Sequence, residues 1–334
     1  MRKPALRPVV WYPPPRPRRA RAAVGRVPLP PVRRLPLGAT GPEDVRVDAA
    51  GRVLTGVADG RVLSLDGDGG PVRTVAVTGG RPLGLCPLPD GRLLVCVAER
   101  GLLRVDPESG RTETLLREAA GRPLTVCSNV VAAPDGTLYV SDSSGRFRLE
   151  HWMGDLLEHS GTGRLIRYEP GGKAEVVLDG LQFANGVALA RDASWVVVAE
   201  TGAYRLTRLW LTGPRAGTRD VLIDNLPGFP DNLSTGPGGV VWVAMAGPRD
   251  PALDLLHRTP PALRRALWAL PSGLTPGARA TAWVIGVGED GRVVHDLQRP
   301  RAGYRMVTGV CEHRGRLYLG SLLESAVGVV DLPD

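Results

Sequence analysis

Apolar and polar positions alternate over short stretches along this chain, and each stretch is followed by a turn and a second apolar run. The pattern reads EDVRVDAAGRVLTGV, then LGLCPLPDGRLLVCV, SNVVAAPDGTLYVSD, NGVALARDASWVVVA, DNLSTGPGGVVWVAM and VTGVCEHRGRLYLGS. A period of two is the signature of a strand with one face buried, and a short polar turn between two such runs marks a hairpin. Segments such as GRVLSLD and GRLIRYEP supply a third strand, and AEVVLDG and TRDVLIDN a fourth. Six units of about four strands predict an all-β chain folded as a six-bladed β-propeller. A β-sandwich array is the main structural alternative. The last unit ends at VGVVDL and lacks a fourth strand; VRRLPL at residues 32–37 is placed to supply it and so to protect the open edge.

Registering the six units isolates a set of polar positions. Eight residues before the turn position stand Glu43, Leu83, Ser128, Asn185, Asp231 and Val307, and one residue further along stand Asp44, Gly84, Asn129, Gly186, Asn232 and Thr308. Asp and Asn are poor strand formers, yet here they recur where each innermost strand begins, at one mouth of the central channel. A ring of oxygen donors with two carboxylates suits a hard cation, calcium (Ca2+) or another divalent ion. The absence of His and Cys from the ring argues against zinc. The plainer alternative, strand starts capped by Asx turns, accounts for one such residue better than for several in one register. The candidate ligands are Glu43, Ser128, Asn129, Asn185, Asp231 and Asn232.

Two units are interrupted after their second strand, one by RFRLEHWMGDLLEHSGTG and one by GPRDPALDLLHRTPPALRRALWALPSGLTPGARA. Leu149, Trp152 and Leu156 recur at helical spacing in the first. Leu255, Leu256, Leu263 and Leu267 do so less regularly in the second, which Pro260-Pro261 breaks. The second strand of a blade runs back toward the mouth where the first begins. Both partly helical insertions should therefore emerge over the metal face as a lid whose apolar residues line a substrate pocket. His151, in the first insertion, is the candidate general base near the cation, although a surface or hydrogen-bonded role is the commoner one for such a histidine. Asp231 is the other catalytic candidate, as the group that orients or deprotonates an attacking water. The chain shows no Ser-His-Asp signature, P-loop or dinucleotide fingerprint.

Composition changes the picture in one place. The 334 residues include 43 Gly and 31 Pro, which suits many short strands and tight turns. The net charge is +8, but residues 1–40 hold ten Lys/Arg and no acid, so that residues 41–334 taken alone carry −2. The basicity belongs to a Pro/Arg-rich arm, residues 1–30, and the propeller to residues 31–334. No specific nucleic-acid partner is implied. A basic arm can meet phosphates or anionic lipid, but the favoured reading is a solvated, loosely draped arm whose removal leaves stability unchanged. No secretory core or transmembrane segment is recognisable. The four cysteines, Cys86, Cys96, Cys127 and Cys311, are scattered and expected to be free, which points to a reducing, cytoplasmic setting.

The stretches GPEDVRVDAAGRV, RPLGL, GTLYVSDSS, LEHW, FANGVAL, VVVAETGAYRLTRLWL, GFPDNLS and EHRGRLYLGSL, in this order over residues 35–333, resemble the strictosidine synthase-like family. That family includes the adipocyte plasma membrane-associated protein branch and is related to gluconolactonases, senescence marker protein and paraoxonases. The resemblance implies a six-bladed propeller and, for the hydrolytic relatives, a catalytic Ca2+ in the channel, with Glu43, Asn185, Asp231 and Asn232 at ligand positions. The third-blade motif, usually Asn-Asp, reads Ser128-Asn129 here. Either Ser128 ligates weakly or through water, or Asn129 reaches in. The position of the catalytic Glu of the amine-condensing plant enzymes falls near Thr308, so strictosidine synthesis is not expected. The lactone-binding Arg of gluconolactonases falls on Val126, so a sugar lactone is not the obvious substrate. The function expected is a calcium-dependent hydrolase of small esters or lactones, of arylesterase or lactonase type. The alternatives are a non-catalytic propeller that binds a small ligand or protein around a structural calcium, and a strictosidine synthase-like enzyme of different chemistry.

Overall fold

Four of the six turns that the sequence repeats are closed by their own aspartates. Asp90 Oδ1 accepts from the Arg92 N–H at 3.0 Å, Asp135 Oδ1 from Thr137 at 2.9 Å and Asp192 Oδ1 from Ser194 at 2.9 Å. Such Asx bonds bend the backbone back on itself and set the register of the hairpin. The computed structural model describes residues 3–21, 27–270 and 281–332. Within them these hairpins build six four-stranded antiparallel sheets, spanning 45–77, 82–116, 127–181, 184–223, 228–300 and 307–331. The last sheet takes its outermost strand, Arg33–Pro36, from the start of the chain, with Arg33 opposite Val329 and Pro36 opposite Ala326. The chain is thus a six-bladed propeller closed through VRRLPL, as the pattern predicts. A further short strand, Val27–Pro28, pairs parallel to the outer strand of blade five.

Six apolar clusters hold the ring together, one at each blade interface. Leu233 and Trp283 of blade five pack with Trp195 and Val197 of blade four, and Val310 and Leu319 of blade six pack with Trp242 and Val284 of blade five. Each fully buried Leu, Val or Ile contributes about 1.5–3 kcal/mol, so the blades are locked mainly by their faces.

The insertions leave the second strands of blades three and five. The first forms a short turn, Leu149–His151, and a helix, Trp152–Glu158; the second forms two helices, Pro251–His257 and Pro261–Ala269. Asp250 starts the first of these two by accepting the Ala252 N–H at 2.8 Å, with Pro251 at the first helical position. The sequence reading counts 271–280 in this insertion, and that stretch lies outside the described residues. The insertions meet beside blade four. His257 Nε2 lies 2.8 Å from the Leu156 carbonyl, Arg264 donates to Leu157 O at 2.9 Å, and the Tyr204 hydroxyl donates to Asp254 at 3.0 Å.

The described arm is irregular over residues 3–17, as the Pro and Arg content predicts, but it is not loosely draped. Proline-rich backbone has few N–H groups of its own to satisfy and offers bare carbonyls. Donors of the second insertion take them: Trp268 Nε1 binds Pro4 O at 2.8 Å, Arg264 binds Val9 O at 2.9 Å, Arg258 binds Pro13 O at 3.1 Å and Arg249 binds Pro14 O at 2.9 Å. Leu6 is buried, and the Trp11 ring stacks on His159 with centroids 4.0 Å apart. The arm is a strap fastened along the lid.

Candidate metal centre at the channel mouth

The innermost strands bring the registered positions together as two polar layers. In the outer layer Ser128 Oγ donates to Asn185 Oδ1 at 3.0 Å, and Asn185 Nδ2 donates to Asp231 Oδ1 at 2.7 Å. Asn185 Nδ2 also lies 3.3 Å from the Thr201 hydroxyl, which donates to Pro230 O. Glu43 stands across the ring. Its Oε1 accepts from Asn232 Nδ2 at 2.9 Å, while its Oε2 is buried with no hydrogen-bond partner. Glu43, Ser128, Asn185 and Asp231 are 5–7% exposed, so the ring keeps a narrow access.

The inner layer is sealed: Asp44, Asn129, Asn232 and Thr308 have no exposed surface. Asn129 Nδ2 donates to Asn232 Oδ1 at 2.7 Å and lies 3.5 Å from Asp44 Oδ2, while Asn129 Oδ1 accepts from Val187 N at 3.4 Å. The three side chains come from alternate blades, and glycine stands in register on two of the blades between them. A Cβ on Gly84 would sit 2.5 Å from the Asn129 Cα, and one on Gly186 2.5 Å from the Asn232 Cα. Only glycine lets the strands approach so closely. Below, Arg46 crosses the channel. It donates to Leu85 O and Leu233 O, each at 2.9 Å, and faces Asp44 Oδ2 at 3.2 Å.

The electrostatics separate the layers. Burial, with the charges of Asp231 and Asp44 added, raises Glu43 well above the usual carboxylate range, against the pull of Arg81 and the Asn232 amide. Burial likewise pushes Asp231 up to about 8, although the Asn185 hydrogen bond opposes it. Asp44 is raised by burial too, but Arg46 and two backbone N–H groups counter that directly. The outer ring thus concentrates two carboxyl groups, an amide and a hydroxyl around an orphaned buried oxygen. Among the described residues no cluster of three or more His, Cys, Asp or Glu side chains is placed to hold a metal. The ring meets the donor chemistry of a hard cation instead through two carboxyl groups and neutral oxygens.

The family model described as strictosidine synthase matches residues 129–214, and that described as strictosidine synthase-like, N-terminal, matches residues 29–65. The strictosidine synthase-like protein 10 of Arabidopsis thaliana is 35% identical, over 88% of this chain and 86% of its own length. The chain belongs to the strictosidine synthase-like family. The adipocyte plasma membrane-associated protein of Rattus norvegicus is 33% identical, over 84% of this chain and 80% of its own. Among solved structures, a gluconolactonase from Xanthomonas campestris superposes with a TM-score of 0.65 at 18% identity, covering 93% of this chain and 99% of its own. A calcium-binding protein, regucalcin, from Agrobacterium tumefaciens does so with a TM-score of 0.63 at 15% identity, covering 93% and 96%. These two likenesses establish the shared propeller fold.

Against this family background, the sequence-derived candidates divide. Glu43, Ser128, Asn185 and Asp231 converge in the outer ring, whereas Asn129 spends its amide inside the sealed layer, and Asn232 accepts there through Oδ1 and donates up to Glu43 through Nδ2. His151 is not brought to the ring: its Nε2 lies 3.5 Å from Glu150 and its ring stands edge-on to Trp268, centroids 6.1 Å apart. The helix that follows it, Trp152–Glu158, packs against the second insertion, which turns this side of the turn into lid interior. Sequence reasoning missed Arg46, Thr201 and Arg81. Arg46 was findable, as the only charged residue in the first strand of its blade, Val45–Val47. Thr201 and Arg81 come from connections with no repeat signal.

Proposed function

We propose that this chain is a divalent-cation-dependent hydrolase of small esters or lactones, working at the channel mouth with calcium as the preferred ion. The observation that carries the reading is the partnerless Glu43 Oε2 in an all-oxygen ring beside Asp231. A buried acceptor left unpaired costs about 1–3 kcal/mol, and a bound cation would recover that. Glu43, Asn185, Asp231 and, through its hydroxyl, Ser128 would hold the ion, with Asn232 and Asn129 as the layer that fixes Glu43 from below. When bound, the ion polarises a carbonyl and stabilises negative charge developing on its oxygen, an effect worth several kcal/mol. Asp231 accepts a proton from the attacking water and returns it to the leaving oxygen, the general-base role of a positioned carboxylate. Asn185 aims that carboxylate through its N–H.

The names of the propeller neighbours, a gluconolactonase and a calcium-binding regucalcin, support the class of chemistry. An apolar acyl or lactone ring is favoured over a sugar, because the residues in register beside the ring are apolar: Leu83, Ala98 and Val126 form one buried cluster with Leu149 of the first insertion. Amine condensation is disfavoured, because Thr308 spends its hydroxyl on Glu43 O at 2.7 Å. A second reading, a propeller with a purely structural ion, draws on the unbroken Ser128–Asn185–Asp231 chain of hydrogen bonds. A panel of small aryl esters and aliphatic lactones, assayed with calcium and with EDTA, separates the two. Turnover that EDTA removes and that Asp231→Ala abolishes supports the hydrolase; tight calcium binding without turnover supports the structural ion.

A further inference from the structure

Two residues upstream of each ring position, toward the outside of the channel, stand Gly41, Arg81, Val126, Phe183, Phe229 and Arg305. These six share a place in the repeat and divide by chemistry. Over blades three to five the layer is apolar: Val126 is buried with Leu149, the Phe183 ring stands 6.4 Å from Trp152, and the Phe229 ring 5.3 Å from Tyr204. Over blades one and two it holds a cation. The half-buried Arg81 reaches across to blade one and donates from Nη2 to Gly41 O at 2.7 Å. Gly41 leaves the room for it. Its φ is +68°, and a Cβ there would sit 2.9 Å from Arg81 Nη2 and 3.1 Å from both Arg81 Nη1 and Leu322 O.

A guanidinium carries five N–H donors, and among the described residues the bond to Gly41 O is the one hydrogen bond that Arg81 makes. The buried Arg164, by contrast, is used up by Asp142 and by the carbonyls of Ala119, Arg122 and Pro123. The carboxylates whose charge Arg81 feels are Glu43 and Asp59. Neither is paired with it: Glu43 is bonded to Asn232 at 2.9 Å and Asp59 to Arg61 at 2.7 Å. Once a divalent cation balances Glu43 and Asp231, the charge of Arg81 is left over at the mouth. Blades two and five are opposite in a ring of six, so Arg81 and Phe229 stand on either side of the ion's place. A free carboxylate on the ligand matches Arg81 in charge and in shape, because a guanidinium takes a carboxylate with a fork of two N–H bonds.

We propose that Arg81 anchors a carboxylate of the ligand at the channel mouth, so that the substrate is an ester or lactone carrying a free acid group, with its apolar part toward Phe229 and its reacting carbonyl at the ion. The choice of substrate rests on the hydrolase reading above and narrows it. Mono-para-nitrophenyl glutarate and the same ester with its free acid capped by methyl, assayed on the full chain with calcium, test it. The expected kcat/KM is at least about tenfold higher for the free acid, and Arg81→Gln removes that preference mainly through KM. Turnover of the capped ester should stay within about threefold of wild type. Arg81→Lys should restore part of the preference, since the charge stays and the fork is lost. Arg305→Gln alters the other cation of this layer, which is exposed and shares a surface hollow with Tyr304 and Glu324, and should leave the preference unchanged. Melting checks that the Gln variant folds; should it not, the Lys variant carries the comparison. Monomethyl glutarate, titrated calorimetrically into the full chain with calcium, reads the same anchor without turnover. Binding that weakens at least about tenfold in Arg81→Gln upholds the anchor even where neither ester is hydrolysed, and the hydrolase reading alone then falls. The anchor is overturned if wild type shows neither the preference nor the binding, or if Arg81→Gln leaves both in place. It is also overturned if Arg81→Gln slows both esters alike, which would reduce Arg81 to an offset for the charge of Glu43.

Discussion

Glu43 and Asp44 are neighbours in sequence, and their carboxyl groups are treated in opposite ways. Both oxygens of Asp44 are met, Oδ1 by Val45 N at 2.9 Å and Oδ2 by Leu85 N at 3.0 Å and Arg46 at 3.2 Å. Glu43 has one oxygen met and one bare. The inner layer of Asp44, Asn129, Asn232 and Arg46 is a closed network, a plug that ties all six blades. The outer ring, one residue away, is held in place by that plug and left with unused acceptor capacity. Networks that are fully satisfied rigidify a fold, whereas a buried group kept unsatisfied marks a place where structure has yielded to function.

If the inner layer is the structural one, its loss should be the most damaging. Asp44→Ala strands the Arg46 guanidinium without its carboxylate, which costs about 3–5 kcal/mol; urea denaturation at neutral pH reads it, and a loss under about 1 kcal/mol would erase the distinction between the layers. Acid probes the lid instead. Burial lowers His159 to about 3 and His257 to about 4, each helped by neighbouring cations. Above the unfolded value of about 6.5 both states are neutral; below it the unfolded chain binds the extra protons, so stability is lost as pH falls from about 6.5 toward 4. At pH 5 the loss is about 2 kcal/mol for each histidine, and denaturation of His257→Gln at pH 7 and pH 5 should show about half of it. Channel variants are therefore best compared above pH 6.5.

A smaller effect belongs to the outer ring. Ser128→Ala removes the hydroxyl that holds Asn185 and should cost about 1 kcal/mol while weakening calcium binding; an unchanged affinity would take Ser128 out of the ion's shell. The smallest effect is expected at His151. Its replacement by Ala should change stability by about 0.5 kcal/mol or less and leave turnover within a few-fold, as an assay of the purified variant would reveal.

The propeller was legible because its period is written six times, and the ring because four oxygen-bearing residues share one register. Which of two adjacent residues belongs to the outer ring was not. Ser128 and Asn129, and likewise Asp231 and Asn232, differ by one step along a strand, and a strand turns successive side chains to opposite sides; the sequence carries the pair but not its phase against the channel axis. The strap was misread for a related reason. Its Pro and Arg content signals little capacity to form a core of its own, and that is true of residues 3–19 in isolation. The partners that satisfy their carbonyls, Arg249, Arg258, Arg264 and Trp268, lie more than two hundred residues away.

The central claim is that the outer ring, and not the plug beneath it, takes a divalent cation. Calorimetric titration of calcium into the full chain at pH 7, wild type beside Glu43→Gln, tests it most directly. The account predicts a single saturable site in the wild type, an affinity at least about tenfold weaker in Glu43→Gln, and a rise in melting temperature with calcium that the variant loses. No binding heat in the wild type, or equal affinity in both proteins, would contradict it.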